Sequence, residues 1–213
     1  MHTSAPSSRA PLRIGLTGGI GSGKSSVATL LASHGAVIVD TDAISRRLTG
    51  PGGLAIPALR EAFGDQVIAN NGALDRDRMR QRVFTNPDDR RQIEAILHPL
   101  ISSEAEREAT SHALAPVIVF DVPLLVESGR WIGRVDRVLV VDCSEQTQIE
   151  RVMKRSGWSE DMVRSVIAAQ ATRDQRRAVA DDLIVNDGIS PAELDGRVAA
   201  LWRTWSAREA GPL

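Results

Sequence analysis

The chain has 213 residues, 42% of them apolar and 25% charged, with a formal net charge of −1. That length holds one α/β domain with a subdomain inserted in it, and that composition excludes disorder on the scale of the whole chain. The near-neutral charge gives no general attraction to nucleic acid or an anionic membrane, and no run reaches the ~18 apolar residues of a membrane span. Residues 1–11 are rich in Ser, Pro and Ala without an apolar h-region, so a flexible tail is expected there, not a signal peptide.

Leu12 to Thr17 reads as a short buried strand weakened by Gly15. Gly18-Gly19-Ile20-Gly21-Ser22-Gly23-Lys24-Ser25 follows and fits G-x-x-x-x-G-K-[ST], the pattern of a phosphate-binding loop. Glycine lets the backbone reach positive φ and bring its N–H groups close to phosphate oxygens. Lys24 places a point charge at the β/γ-phosphates, and Ser25 offers a hydroxyl to Mg²⁺. Ser25 to Ser33 carries Val27, Leu30 and Leu31 at helical spacing, which aims the positive end of a helix dipole at the anion. Ala36 to Val39 is a second strand, ending in Asp40-Thr41-Asp42. If that segment is extended, both carboxylates face one way at the strand's carboxyl edge, where open α/β sheets place ligands. One of them then takes a proton from an attacking hydroxyl while the other orients it or holds a Mg²⁺-bound water. The other reading is a solvated turn capping a helix from Ala43.

About seventy residues separate this strand from the next, Val117 to Phe120, far more than a crossover helix needs, so a helical insertion is expected. Short helices are expected over 57–63 and 76–84, around a turn at Asn70-Asn71-Gly72. Asn86-Pro87-Asp88-Asp89 has the form of a helix start. A separate helix is expected from about Pro99 to Leu114, with His98 at its entry as a structural cap or a functional group.

The third strand ends in Asp121, suited to orienting Mg²⁺, and the Val122–Glu127 loop lies at the same sheet edge. Residues 135–142 form a fourth strand. Cys143, the single cysteine, supports neither an intramolecular disulfide nor a zinc site, so a reducing cytoplasm is expected. Ser144 and Ser159 cap helices, Leu183 to Val185 is a fifth strand, and Ser190-Pro191-Ala192-Glu193 opens a last helix with Trp202 and Trp205 as core anchors. Arg151, Lys154, Arg155, Arg164, Arg173, Arg176 and Arg177 face only three acids over 151–177, which suggests a lid closing over polyphosphate. Arg151 and Arg155, four apart, share a helix face. Lys154 and Arg164 are read as an ordinary solvated face. Strands alternating with helices give a doubly wound α/β nucleotide fold. No D-x-x-G or N-K-x-D pair marks a guanine-specific switch.

Taken together, Thr17 to Ser25, Val39 to Arg46, His98-Pro99-Leu100-Ile101, Pro123 to Glu127, Gln170 to Arg173 and Ala180 to Gly188 resemble dephospho-CoA kinase, from about Arg13 to Trp205. The resemblance implies a P-loop, nucleoside-monophosphate-kinase-like fold, with a five-stranded parallel sheet, a helical substrate-binding insertion and a lid. It implies a core over 12–42 and 116–208, a lid over about 145–177, and a CoA-binding insertion over 43–115. The activity implied is ATP-dependent phosphorylation of the ribose 3′-hydroxyl of dephospho-CoA.

Carried onto these positions, Gly19, Ile20, Gly21, Ser22, Gly23, Lys24, Ser25 and Ser26 hold the ATP phosphates, and Asp42 is the base. Asp40, Arg46, His98, Pro123, Leu124 and Glu127 line the acceptor site, and Arg151 and Arg155 lie in the lid. Ser25 is the Mg²⁺ ligand, with Asp40 or Asp121 acting through water. ATP and dephospho-CoA are then the partners of a monomer. The alternatives are another P-loop kinase, for a nucleoside or a sugar acid, and a non-catalytic nucleotide-binding regulator.

Overall fold

The computed structural model describes residues 10–207. The tail expected over 1–11 lies outside the described residues except for Ala10 and Pro11, as does residue 208. The elements run β1 (Leu12–Gly18), α1 (Lys24–Ser33), β2 (Val37–Asp40), α2 (Thr41–Leu48), α3 (Ile56–Phe63), α4 (Arg76–Thr85), α5 (Pro87–Thr110), β3 (Val117–Asp121), α6 (Leu125–Ser128), β4 (Arg137–Asp142), α7 (Glu145–Ser156), α8 (Glu160–Ala168), α9 (Arg173–Ala178), β5 (Asp182–Val185) and α10 (Pro191–Ser206). The described residues form two compact units, one of those up to Val39 and from His112 onward, the other Asp40–Ser111.

The first unit is a five-stranded sheet in the order β2-β3-β1-β4-β5, and β1 pairs in parallel with both β3 and β4. Alternate strand residues Ile14, Leu16, Val117, Val119, Leu139, Val141 and Ile184 share one face, as the two-residue strand period requires. Val27 and Leu31 of α1 and Leu194, Val198 and Trp205 of α10 pack on that face. Each such side chain, fully buried, contributes about 1.5–3 kcal/mol before chain entropy is counted. Both tryptophans of α10 serve this core, Trp205 fully and Trp202 at its margin. The capping box at Ser190 and Glu193 forms. On the opposite face Phe120 meets Trp131 with ring centroids 5.2 Å apart. There Gly15 has its reason. A Cβ at that position would lie 2.7 Å from Leu125 Cδ1, so a glycine in the strand lets α6 close on the sheet.

In the second unit α5 packs against α2, α3 and α4 around Leu48, Leu59, Phe63, Met79 and Ala105. The turn at Asn70 to Gly72 sits between the bridged residues Ile68 and Leu74. The sequence suggested two helices where the structure has one, α5, with Pro99 inside it. Proline cannot donate to the carbonyl four residues back, which ordinarily costs ~3 kcal/mol or more. Packing of α5 against α2, α3 and α4 supplies the tertiary context that carries the helix through. Arg82 of α4 also pairs with Asp89 in the first turn, and Arg47 of α2 with Glu108 near the last at 2.8 Å. His98 therefore stands in mid-helix and not at a helix entry.

Candidate active site

The phosphate loop is built where β1 ends and α1 begins. Gly21 and Gly23 have φ of 73° and 93°, the left-handed region that side chains with a Cβ rarely adopt. Gly23 occupies the N-cap of α1 without any side-chain cap, and no acidic residue lies in the helix's first turn. The positive end of the dipole is thus left uncompensated by the protein, a ready anion site. Lys24, the first helical residue, is ion-paired with Asp121 Oδ1, at the last position of β3. The strand register sets Asp121 opposite Leu16 of β1, two residues before the loop begins. Ser25 and Ser26 follow on the exposed side of the first turn.

The loop is held from outside as well. Ile20 N–H donates to Gln170 Oε1 at 2.9 Å and Ile20 O accepts from Gln148 Nε2 at 2.8 Å. Asn186 Nδ2 donates to Ser22 O at 2.8 Å, while Arg151 Nη1 lies 3.3 Å from both Gly21 O and Ser22 O. Gln170 and Asn186 lie in stretches that carry the family resemblance, where the sequence alone assigns them no role, and Gln148 lies outside those stretches. Its signal was a lone amide on α7's inward row with Ile149 and Val152.

After β3, Pro123 O accepts from Thr17 Oγ1 at 3.1 Å, joining this segment to β1. Leu124 is exposed, and what the sequence suggested as loop includes the short helix α6. Glu127 lies on α6, with Oε1 accepting from Ala171 N at 2.8 Å. The Gln170-Ala171 pair therefore links the phosphate loop and α6 through adjacent residues.

The basic segment divides into separate groups. Asp142, at the end of β4 with its side chain 2% exposed, takes two bonds from Arg173 at 2.8 and 2.9 Å and one contact from Arg177 at 3.1 Å. Hydrogen bonding to Asp142 raises the Arg173 pKa further. Arg176 is buried on Ala171 O, and Arg164 pairs with Glu160 along α8. Arg173, Arg176 and Arg177 thus serve the protein itself, which narrows the charge left to face polyphosphate, and Arg164 lies on the solvated face expected of it. Arg151 and Arg155 share α7, the first on the loop carbonyls and the second exposed near the helix end.

Beside them Asp187 accepts from Thr147 Oγ1 and from Ser144 N, bonds that hold its carboxyl below the usual range. Burial pushes the Cys143 thiol up to about 11, so it stays protonated at neutral pH. Among the described residues no cluster of three or more His, Cys, Asp or Glu side chains is arranged to hold a metal, and no helix is long and apolar enough to cross a membrane.

The remaining predicted residues belong to the helical unit. The chain between Asp40 and Asp42 is not extended: Asp40 is the N-cap of α2, accepting from Ala43 N at 2.8 Å, and Asp42 lies in the first helical turn. A carboxylate just before a helix satisfies an otherwise unpaired N–H, and this local gain overrides continuation of the strand. Helix position, not strand alternation, thus sets the direction of Asp42, which is exposed. Asp40 also lies 3.5 Å from Arg46, a solvated pair worth little by itself.

Comparison with known proteins places this geometry. The sequence model of the dephospho-CoA kinase family matches residues 12–191. A dephospho-CoA kinase of Burkholderia lata is 55% identical over 188 residues, 88% of this chain and 93% of that protein. The crystal structure of TT1252 from Thermus thermophilus superposes with a TM-score of 0.80 at 32% identity, covering 91% of this chain and 96% of that one. The dephospho-CoA kinase of Campylobacter jejuni shares the fold at 20% identity, with a TM-score of 0.69 over 92% of this chain and 98% of its own. On the family match and the 55% identity, this P-loop chain belongs to the dephospho-CoA kinase family, kinases that transfer phosphate from ATP to an alcohol.

Proposed function

We propose that the chain transfers the γ-phosphoryl group of ATP to the ribose 3′-hydroxyl of dephospho-CoA, giving CoA and ADP, the last step of coenzyme A synthesis. The observation that carries this reading is the family match over residues 12–191, which takes in the phosphate loop, the helical unit and the α7–α9 segment together.

Residues 19–26 hold the phosphates in this reading, with the loop N–H groups and the N-terminus of α1 meeting their charge. Lys24 exchanges part of its pairing with Asp121 for the β/γ-phosphates. Mg²⁺ fits the residues present. A small cation bound chiefly by phosphate oxygens and water needs one or two protein oxygens, not a cage, and the exposed Ser25 hydroxyl at the first turn of α1 supplies one. Asp121, or Asp40, would add a carboxylate through water. When bound, the ion supplies neutralising charge to the phosphate oxygens.

Phosphoryl transfer is loose, so positioning and electrostatics outweigh base strength. Asp42 receives the 3′-hydroxyl proton late. Its exposure supports this role, and so does the commitment of Asp40 to the α2 cap and to Arg46. Arg46, His98, Pro123, Leu124 and Glu127 line the acceptor site, with the 43–115 insertion as its wall and Asp40 anchoring Arg46. Arg151 and Arg155 are the lid cations nearest the transferring charge. The near-neutral net charge, with no general attraction to nucleic acid, supports the absence of such a partner, and a cytoplasmic monomer is the form this reading expects.

The test is ADP release with dephospho-CoA, nucleosides and sugar acids offered in turn. Strong turnover is expected with dephospho-CoA alone. Equal turnover on a nucleoside or a sugar acid would overturn the acceptor assignment, and no phosphoryl transfer to any of them would favour a binding protein.

A further inference from the structure

Three consecutive carbonyls of the phosphate loop are gripped by side chains from outside it. Gln148 and Arg151 come from α7, and Asn186 from the residue after β5. In a planar trans peptide the next residue's N–H points opposite to the carbonyl. Drawing Ile20 O toward Gln148 therefore turns the Gly21 N–H the other way, and drawing Ser22 O toward Asn186 turns the Gly23 N–H likewise. The peptide between them differs, because the Ser22 N–H is spent within the loop on Gly19 O at 3.1 Å.

We propose that Gln148 and Asn186 are positioning residues for the nucleotide's polyphosphate, holding the Gly21 and Gly23 N–H groups aimed into the concave side of the loop. The proposal deepens the nucleotide-binding half of the proposed function and rests on it. Two independent features support it. Gln148 and Asn186 are 1% and 6% exposed, so their amides donate where water does not compete, and a lost partner leaves a buried carbonyl unsatisfied. An apolar residue would fill α7's inward row at no desolvation cost, so a glutamine there is repaid only through its donor. The loop also makes room for both amides. A Cβ at Gly19 would collide with Gln148 Nε2, and one at Gly23 with Asn186 Nδ2. Gly19 is not required by G-x-x-x-x-G-K-[ST], and close approach of Gln148 accounts for it.

The test uses the full chain with Gln148→Met and Asn186→Leu, which keep volume and delete the donor, and Gln148→Glu and Asn186→Asp, which keep shape. Affinity for inorganic triphosphate, ATP and adenosine is measured by calorimetry, and KM for ATP and for dephospho-CoA by ADP release. Each variant is expected to bind triphosphate and ATP about tenfold more weakly, as loss of a buried hydrogen bond implies. The ATP KM should rise in step, while adenosine affinity and the dephospho-CoA KM stay at wild-type values. Unchanged triphosphate affinity in the folded variants overturns the proposal, and so does an equal loss for adenosine and acceptor, the mark of a merely structural role. Should one position fail to fold when substituted, the other decides. Wild-type protein that binds triphosphate, with the variants weakened, but turns over no dephospho-CoA overturns the acceptor assignment and supports the clamp. Wild-type protein that binds no triphosphate overturns both.

Discussion

Three strands of the sheet end in aspartate: Asp40 of β2 caps α2, and the carboxylates that end β3 and β4 hold their cations differently. Asp121, at the end of β3, holds Lys24, and Asp142, at the end of β4, holds both Arg173 and Arg177. The Asp142 side chain is 2% exposed, and planar guanidinium forks saturate its oxygens in a fixed geometry. Asp121 is 12% exposed at the side chain and meets a flexible ammonium, a point charge that can turn toward another anion without dismantling a network. A carboxylate held by guanidinium forks fixes the architecture, while one that holds an ammonium leaves that cation able to turn toward a ligand. Strand-end position alone does not tell them apart, and the kind of cation each carboxylate holds does.

If this contrast is right, the largest effect belongs to the carboxylate with no structural duty. Under the proposed function Asp42→Asn, which weakens the hold on the acceptor hydroxyl as well as removing the proton acceptor, should lower kcat by about 10²–10⁴-fold, the usual range for a general base. ATP affinity and thermal midpoint should stay near wild type, read by calorimetry and thermal unfolding. Near-normal turnover would remove Asp42 as the base. Next comes Lys24→Ala, expected to lose about 10²–10³-fold in kcat, as for other donors aimed at developing charge, and to weaken ATP binding as well. Unchanged kinetics would contradict the placement of the loop.

Asp121 and Asp142 should then separate in opposite directions. Asp121→Asn is expected to cost turnover more than stability. Asp142→Asn should cost about 2 kcal/mol of stability in urea unfolding, with turnover per folded molecule close to wild type. That figure sits below the usual cost of breaking a buried pair because the Arg173 and Arg177 side chains are 33% and 43% exposed and partly hydrated once released. The same response from both variants would break the comparison.

How much of this was readable beforehand follows the range of each interaction. The phosphate loop, the strands and the caps at Ser144, Ser159 and Ser190 are local, and their residues lie within a few positions of one another. Long-range effects were not legible. Gly15 reads as a weak strand residue until Leu125, far along the chain, is seen to sit on it. Pro99 reads as a helix boundary because the helices that α5 packs against, α2, α3 and α4, lie outside its local sequence. At Asp40 the sequence left a choice open. Strand alternation and a cap for a helix from Ala43 were both readable, and capping prevailed within a span of three. Charge counting over 151–177 could not see that Asp142, outside the counted window, takes two of the arginines.

The smallest effect is expected at Arg164, and it calibrates the rest. Arg164 and Glu160 lie four apart on α8 with hydrogen bonds of 2.6 and 2.8 Å, both to Glu160 Oε1, distances as short as those of Arg173 to the two oxygens of Asp142. Their side chains, however, are 53% and 52% exposed, so water screens the attraction and holding two long side chains in register costs entropy. Arg164→Ala should therefore change stability by less than about 0.5 kcal/mol and leave the KM for ATP unmoved. If unfolding and kinetics instead showed a loss comparable to Asp142→Asn, distance would matter more than desolvation. Burial would then no longer be the property that divides architectural pairs in this sheet from those kept available to a ligand.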